Sequence, residues 1–584
     1  MRRCTKRRPR GIARAGKYVR DYFTAAPVVN ALFLAVNLVI ALLPSGVTFL
    51  TAAVTERVGA GDFAVGFALG LGALIALIAV NQALYYVSDL LVSYSLQKAH
   101  LKLRGQFMTK AASLPLVTFE ESGVLDRMHR LDVWLKEYRI THYFLELRTQ
   151  AVNLVTVVSL AVSLAVFSPY LMLIAVAAAL PALLIRLVEG KKFFEFQRNF
   201  ENLERNRAYF WKLFRDKTAV REMTGFGAAP FFLAYGKETD LDMTTRMYRF
   251  THSYRLKLLG VFVFVVAGYV GGIVCAAALV RYGLLAVSGF SAAVSSQQSF
   301  SNAVAGFFDS MGYLRETDGY VREYYDFLAL PEEARADAGD AFTGIRCEDV
   351  TFAYPDGHTA VSGVSFFLPA GKHLAVVGEN GSGKTTLVKL LTGAYAPSSG
   401  TVTACGRPVY GMSPDRHGFT VQPQQYIKYK GTVGETIFLS DPAPADDAAA
   451  VQALFDGSAL SSEPGLTPDS RLGREYDGRE LSEGQWQQLA FLRASFRRAD
   501  VMLLDEPTGA VDPHNEHRLL AGFMAAIEGR TAVIVTHRLS LCRFADEILF
   551  MEDGRVTERG THDELMARRG GYFRMFSSQL KWYE

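Results

Sequence analysis

A short glycine-rich segment constrains this chain more than any other part of it. Residues 378–386 read GENGSGKTT, which matches the phosphate-loop pattern G-x-x-x-x-G-K-[ST]. Apolar runs over 373–377 and 387–391 flank the segment and predict a strand before it and a helix after it. Backbone N–H groups at the glycines can surround phosphates, Lys384 supplies a positive charge, and Thr385 supplies a hydroxyl for Mg²⁺. The residues predicted to contact the nucleotide here are Gly378, Asn380, Gly381, Ser382, Gly383, Lys384, Thr385 and Thr386.

The first half of the chain has a different character. The protein has 584 residues, is 50% hydrophobic and is 21% charged, a mixture that indicates an apolar part joined to a water-soluble part. Apolar stretches of around twenty residues or more are long enough to cross a ~30 Å hydrocarbon core. Six such stretches are predicted to span a membrane, over 28–54, 64–92, 144–167, 170–188, 256–280 and 284–308.

The charges predict how these spans are oriented. The long connections 93–143 and 189–255 are rich in Lys and Arg, so the positive-inside rule places them and both termini in the cytosol. The first twenty residues are basic without an acid, which indicates an anchor on anionic lipid; a nucleic-acid arm is the alternative. A net charge of only +4 otherwise gives no indication of a nucleic-acid partner. We expect a multi-pass protein of the cell membrane, specifically of a bacterial plasma membrane.

The composition also divides the chain into segments. After a linker that contains Pro331 and is rich in Ala and acidic residues, strand-like alternation is followed by alternating strands and helices. This is the pattern of an α/β domain with a largely parallel sheet. We predict a basic N-terminal segment, an all-α membrane domain, the linker and an α/β phosphate-loop domain, over 1–25, 26–326, 327–342 and 343–584.

A second motif completes the hydrolytic chemistry. Residues 501–506 read VMLLDE, four apolar residues that end in two acids, as a buried strand does where it meets a catalytic edge. Asp505 is expected to hold Mg²⁺, directly or through water, and Glu506 to polarise the attacking water.

Further motifs in the same order resemble the ATP-binding cassette (ABC) family. Residues 481–485 read LSEGQ, close to the family signature, and 533–537 read VIVTH. The resemblance implies ATP and Mg²⁺ as cofactors. It implies further roles for Tyr354 on adenine, Asp512 in the D-loop, and His537 as the switch histidine. It also implies that Gln424 is the Q-loop glutamine, a Mg²⁺ ligand and catalytic residue, with Gln422 as the alternative register.

The resemblance also implies a dimer. Ser482, Gly484 and Gln485 cannot reach their own phosphate loop and would close on ATP bound by a partner cassette. The family usually has glycine where this chain has Glu483. Glu483 is either harmless variation or a carboxylate that weakens one of two ATP sites, so a homodimer and a heterodimer with a second half-transporter both remain open.

Six spans followed by one cassette resemble the half-transporters of the exporter type. That fold implies that segments 114–120 and 218–226 dock on cassettes, and we expect Phe119 and Phe226 to serve as aromatic anchors. The expected function is export of a small peptide or amphipathic compound by ATP-driven alternating access. The alternatives are a lipid or drug floppase, an importer of a metal-chelate compound, and a membrane-anchored regulatory ATPase.

Overall fold

A computed structural model describes most of the chain, and its helices and strands divide it into two compact units. The described residues are 11–61, 65–178, 180–181, 196, 207–332, 342–404, 406–412, 418–440, 448–507, 522–536 and 539–580. One unit comprises Met1–Ala112 with Asp126–Leu330, and the other comprises Ser113–Leu125 with Pro331–Glu584.

The first unit is helical throughout its described part. Long apolar runs with few helix breakers satisfy their own backbone hydrogen bonds, as a lipid environment requires. Its helices are α1 Gly11–Ala25, α2 Pro27–Gly59, α3 Val65–Ala112, α4 Ser122–Lys136, α5 Arg139–Phe167, α6 Pro169–Ala178, α7 Lys217–Phe226, α8 Ala229–Arg281 and α9 Val287–Leu328. Helices α2, α5 and α9 pack on one another, and α5, α6, α8 and α9 share an apolar core.

Four described helices, α2, α3, α5 and α8, are long and apolar enough to cross a membrane. The predicted fourth span, 170–188, begins in the short apolar helix α6 and continues outside the described residues beyond 181. The predicted sixth span, 284–308, lies almost entirely in α9, which is richer in Ser and Gln.

Polar residues of α9 are used for packing between helices. The Ser296 hydroxyl donates to Thr48 Oγ1 at 2.9 Å, and Gln297 Nε2 donates to the carbonyl oxygen of Gly268 at 2.7 Å. Hydrogen bonds of this kind join helices in lipid while keeping polar groups away from hydrocarbon. The lower hydropathy of α9 therefore reflects its position between other helices.

The second unit contains two sheets. An antiparallel sheet has the order β2-β1-β4-β5, and a six-stranded sheet has the order β10-β9-β3-β8-β7-β6, in which all neighbours except β10 and β9 are parallel. The strands are β1 Gly344–Ala353, β2 Thr359–Pro369, β3 His373–Gly378, β4 Ser399–Ala404, β5 Arg407–Pro408, β6 Phe419–Gln422, β7 Val501–Asp505, β8 Thr531–Val535, β9 Glu547–Glu552 and β10 Arg555–Gly560. Strands β7 and β8 are buried at every residue, which is why they read as unbroken apolar runs.

Helices cover the six-stranded sheet and are joined to its strands by the functional loops. They are α10 Lys384–Leu391, α11 Val433–Phe438, α12 Ala448–Asp456, α13 Glu483–Phe496, α14 Leu539–Cys542, α15 His562–Arg568 and α16 Gly571–Leu580. A further helical stretch covers 522–527. Because parallel strands end at one edge, the loops after β3 and β7 meet there.

Segment 114–120, predicted to dock on a cassette, lies within Ser113–Leu125, which packs within the second unit. It contains a 3₁₀ helix, Leu116–Glu120, whose Val117 packs against the core beneath the phosphate-loop helix α10. The Glu120 carboxylate accepts hydrogen bonds from Tyr395 and, at 3.5 Å, from Lys389 of α10. Val117 and Glu120 therefore provide contacts that the expectation for Phe119 did not include.

The second predicted docking segment, 218–226, forms most of α7. Asp216 caps this helix by accepting from the backbone N–H groups of Thr218 and Ala219 at 2.9 and 3.0 Å. Phe226 is 80% exposed at the C-terminal end, so its role as an anchor stays a prediction.

Candidate nucleotide-binding site

The phosphate loop lies between β3 and α10, as the sequence predicts. Its conformation depends on glycine at two positions in particular. Gly383 has φ +97°, and a Cβ there would overlap the carbonyl oxygen of Ala360; Gly378 has φ +155°, and a Cβ there would overlap the carbonyl oxygen of Met551. These close approaches hold the loop against β2 and β9 and leave its backbone N–H groups available to line a phosphate cradle.

Lys384 is held inside this loop. Its ammonium donates to the carbonyl oxygens of Gly378 and Glu379 at 2.9 and 2.6 Å. Burial lowers the pKa of Lys384, while the nearby Glu506 and Asp505 carboxylates oppose that change. The cation is thus fixed within the cradle and near two acids.

Asp505, the last residue of β7, is a buried carboxylate with 3% of its surface exposed. Burial raises its pKa to about 6, although a hydrogen bond from Thr385 acts in the opposite direction. Its Oδ1 is buried without a hydrogen-bond partner in the described part of the protein. A hydroxyl beside a buried carboxylate with unused acceptor capacity fits a Mg²⁺ ion, which prefers oxygen ligands and retains waters and phosphate oxygens.

This donor set has few protein ligands. Within the described residues, no group of three or more His, Cys, Asp or Glu side chains is placed to hold a metal. The Ser382 hydroxyl oxygen, in the phosphate loop, is also buried and has no hydrogen-bond partner among the residues that the structure describes.

Glu506 adjoins Asp505 but has different surroundings. Its backbone has a left-handed φ of 50°, its N–H donates to the Val535 carbonyl at 2.9 Å, and its own carbonyl accepts from Gln487 Nε2 at 3.2 Å. The carboxylate Oε2 accepts a hydrogen bond from Gln424 Nε2 at 2.8 Å. The predicted catalytic acid and Q-loop glutamine therefore meet although 82 residues separate them.

A cavity of about 730 Å³ joins these groups. Its lining includes Lys384, Thr385, Gln424 and Glu506, with Tyr354 at another part of the wall. The remaining lining residues are His358, Ala360, Gly378, Glu379, Asn380, Gly381, Gly383, Thr386 and Met575. Its size and lining suit a nucleoside triphosphate.

Tyr354, expected to contact adenine, is positioned by other aromatic rings. It meets Phe352 edge-on, with ring centroids 5.1 Å apart, and Tyr395 edge-on at 6.0 Å. Its hydroxyl lies 3.1 Å from Thr386 Oγ1. Tyr395 also contacts Glu120. It therefore connects Tyr354 in the cavity wall with the 3₁₀ helix.

The signature segment begins helix α13 and lies apart from this cavity, whose described lining contains none of residues 481–485. Ser482 is the N-cap: its Oγ accepts from the Gln485 N–H at 3.3 Å, and Gln485 Oε1 accepts from the Ser482 N–H at 2.8 Å. This reciprocal pair is a capping box, a use that the sequence analysis did not identify. Gly484 is the second residue of the helix.

Two predicted residues, Asp512 and His537, lie outside the described residues. Five contributors were not predicted. Gln487 holds the Glu506 carbonyl, and four residues line the cavity wall: His358, Ala360, Glu379 and Met575. Gln487 follows the signature by two residues, and this nearness is a local signal that could have identified it as a site residue. Met575 comes from α16, nearly two hundred residues after Lys384, so no local pattern could identify it.

Comparisons with known proteins agree with this geometry. Residues 361–509 match the family model for the ABC transporter. A subtilin transport ATP-binding protein, SpaT of Bacillus subtilis, is 25% identical over 82% of this chain and 80% of its own length. The mycobactin import ATP-binding/permease protein IrtB of Mycolicibacterium thermoresistibile is 36% identical over 47% of this chain and 48% of its own.

Two further similarities concern a flippase and a solved structure. An ATP-dependent lipid A-core flippase of Photobacterium profundum is 37% identical over 40% of this chain and 41% of its own. The structure of a bacterial Atm1-family ABC exporter with ATP bound superposes with a TM-score of 0.80 at 19% identity, over 94% of this chain and 98% of that one. At that identity the superposition establishes the fold.

The fold and the site first define a class: a multi-pass membrane protein whose single chain also carries a phosphate-loop, ATP-binding domain. Residues 361–509 are an ABC transporter domain, and the chain as a whole is similar to half-transporters of the exporter fold, with one membrane domain and one cassette.

Proposed function

We propose that the chain is one half of an ATP-hydrolysing exporter that works as a dimer and moves a small peptide or amphipathic compound across a bacterial membrane. One observation carries the hydrolytic part. Glu506 lines the nucleotide cavity with its carboxylate held 2.8 Å from Gln424, while Lys384 and Asp505 lie beside it. A base and a phosphate-binding cation thus line one cavity, and the metal-binding acid directly precedes the base in the chain.

Each group has a task in this proposal. Tyr354 stacks on adenine, and Lys384 with the N–H groups of residues 378–386 binds the phosphates. Thr385, Asp505 and Gln424 would hold Mg²⁺, which supplies positive charge against the phosphate oxygens. Asp505 must be ionised for that task, and a bound cation favours its ionised form.

Glu506 acts as the base in the hydrolytic step. It accepts a proton from the water that attacks the γ-phosphate, and Gln424 holds the carboxylate in position through its amide N–H. The Gln487 amide and the Val535 carbonyl hold the Glu506 backbone, so its side chain has a defined direction. We assign His537 to the transition-state contact with the γ-phosphate on the family resemblance alone.

The dimer follows from the position of the signature. Ser482, Gly484 and Gln485 begin α13 apart from the chain's own cavity, so they require a nucleotide from elsewhere. A second cassette supplies it, and Asp512 takes part in the same interface. The second half is another copy of this chain or a related half-transporter.

Cassette closure drives the membrane domain in this proposal. The 3₁₀ helix Leu116–Glu120 is continuous in sequence with α3 and α4 and contacts α10 through Glu120 and Lys389. A nucleotide-dependent shift of α10 therefore acts on the connection between two membrane helices. Alternating access results when nucleotide binding favours one arrangement of the halves. Both termini and the long connections are cytosolic in this arrangement.

The cargo is inferred from the relative matched along most of the chain. The subtilin transport protein aligns with 82% of it, whereas the lipid A-core flippase and the mycobactin importer align with less than half. Since cargo is bound by membrane helices, the longer match favours a peptide over a lipid or a metal chelate.

The test uses the protein purified into nanodiscs. Glu506→Gln should lower ATP turnover by about a hundredfold or more while leaving ATP binding intact, because general-base catalysis contributes about 10²–10⁴-fold. Glu528→Gln, a change to an exposed acid on the same unit, is the matched control. Turnover that Glu506→Gln leaves unchanged would remove the hydrolytic assignment.

A panel of peptides, lipids and dyes then tests the cargo. Stimulation of wild-type turnover by peptides, with uptake of the same peptides into inverted vesicles, is the expected result. Stimulation confined to lipids or metal chelates would replace the peptide assignment.

A further inference from the structure

Glu483, which stands where the family signature usually has glycine, is paired with a segment distant in sequence. Its Oε2 lies 2.6 Å from Lys428 Nζ, and its Oε1 accepts a hydrogen bond from the Tyr426 hydroxyl at 2.9 Å. The Tyr426 hydroxyl also lies 3.1 Å from the Glu483 carbonyl oxygen. Both partners lie just after Gln424, the residue that holds Glu506.

The pairing favours the ionised form of the carboxylate. Glu483 has a lowered pKa, caused first by the hydrogen bond from Lys428 and then by that from Tyr426. Glu483 is therefore ionised near neutral pH and carries its counter-ion with it. The Lys428 and Glu483 side chains are 41% and 58% exposed, so the pair lies on the surface of the cassette.

A surface ion pair contributes little to folding, typically less than about 1 kcal/mol. We therefore consider the role of the Lys428–Glu483 pair in contacts between this surface and a partner. The signature faces the triphosphate of a partner cassette under the proposed function, and a carboxylate at the first residue of α13 would repel that anion. Closure of the dimer removes water, which strengthens both the repulsion and its neutralisation by a fixed cation.

We propose that Lys428 is a positioning residue of the signature: it neutralises Glu483, so that an acidic signature can close over ATP bound by the opposite cassette. This inference rests on the proposed dimer. Tyr426 aids Lys428 by orienting the carboxylate toward the Q-loop segment. On this basis the Glu483 carboxylate would weaken the ATP site if it were unpaired. It does not weaken that site here, because Lys428 of the same chain compensates its charge.

The experiment is a double-mutant cycle on the purified complex in nanodiscs. Lys428→Ala, Glu483→Gly and the double variant are compared with wild type for KM and kcat of ATP hydrolysis. Lys372→Ala is the matched control, since it removes the lysine of another exposed cassette ion pair, 2.8 Å from Asp546.

We expect Lys428→Ala to raise the KM for ATP about tenfold, with a smaller change in kcat. Glu483→Gly should not raise the KM, because it removes the carboxylate that Lys428 neutralises, and Lys372→Ala should stay within about twofold of wild type. The double variant should return to the wild-type KM, a recovery that a purely structural role of Lys428 would not produce. Should Lys428→Ala be poorly folded, Lys428→Met keeps the side-chain length and gives the same comparison.

Two results would overturn the inference. The first is a wild-type KM in Lys428→Ala and Lys428→Met. The second is a double variant as impaired as Lys428→Ala, which would mean that Lys428 acts independently of Glu483. Failure of the proposed function is distinct, because it appears as equal turnover by wild type and Glu506→Gln.

Discussion

Burial of Asp505 should lower the stability of the cassette at neutral pH, and bound nucleotide with Mg²⁺ should restore it. The pKa of this carboxyl rises from its ordinary value of 3.8 to about 6, chiefly because β7 buries it. At ~1.4 kcal/mol per pH unit, the difference corresponds to about 3 kcal/mol of unfolding free energy. A raised acid pKa stabilises the folded form at low pH, and that contribution is lost as pH rises through the folded-state value.

The perturbation is Asp505→Asn, which keeps the size of the side chain and removes its charge. Without nucleotide, the variant should match wild type below pH 4, gain stability between pH 4 and 6, and remain about 3 kcal/mol more stable above pH 6. For a cassette of this size, that difference raises the melting temperature by about 6–12 °C at pH 7.5.

Differential scanning calorimetry of the full chain in detergent measures this effect, and the cassette transition is the one that ATP shifts in wild type. Adding Mg-ATP should reverse the order, because wild type gains the metal contact and Asp505→Asn does not. Asp500→Asn, on the exposed residue just before β7, controls for a general charge effect. A stability difference between Asp505→Asn and wild type that does not change with pH would refute the reasoning.

Two other predictions concern the loop and the connection to the membrane helices. Gly383→Ala should abolish most ATP binding, since its Cβ would overlap the Ala360 carbonyl at a left-handed φ; filter binding of labelled ATP measures this, and normal binding would contradict the loop geometry. Glu120→Ala should leave basal ATPase activity within about threefold but reduce its stimulation by cargo, because the contact with Tyr395 and Lys389 is lost. Stimulated ATPase assays test this, and Glu121→Ala is the neighbouring control, whose unchanged stimulation is expected.

Much of the candidate site could be predicted because its parts are local. The phosphate loop needs glycines and a lysine at fixed spacing between a strand and a helix, and β7 needs an apolar run that ends in acids. Both requirements act over fewer than ten residues, so the printed sequence contains them. Strands β3 and β7 and helix α10 are accordingly found where they were expected.

The long apolar stretches were local signals too, but they were weaker for α9. That helix buries Ser296 and Gln297 against other helices. Hydropathy is calculated from the helix's own residues, so it does not account for these partners. The expectation for segment 114–120 was incomplete for a related reason. Phe119 stays the predicted anchor, and Val117 and Glu120 contribute contacts that the prediction did not include.

The amino-acid order by itself determined the chemistry available to this protein: a phosphate cradle, a metal-binding acid, a base and a series of membrane helices. The tertiary structure decided how those groups are tuned. It buried Asp505 and left Glu506 at the cavity beside Gln424, and it paired Glu483 with Lys428 across 55 residues. The physical reason is that burial and ion pairing depend on distances between segments far apart in the chain, and local spacing does not encode those distances.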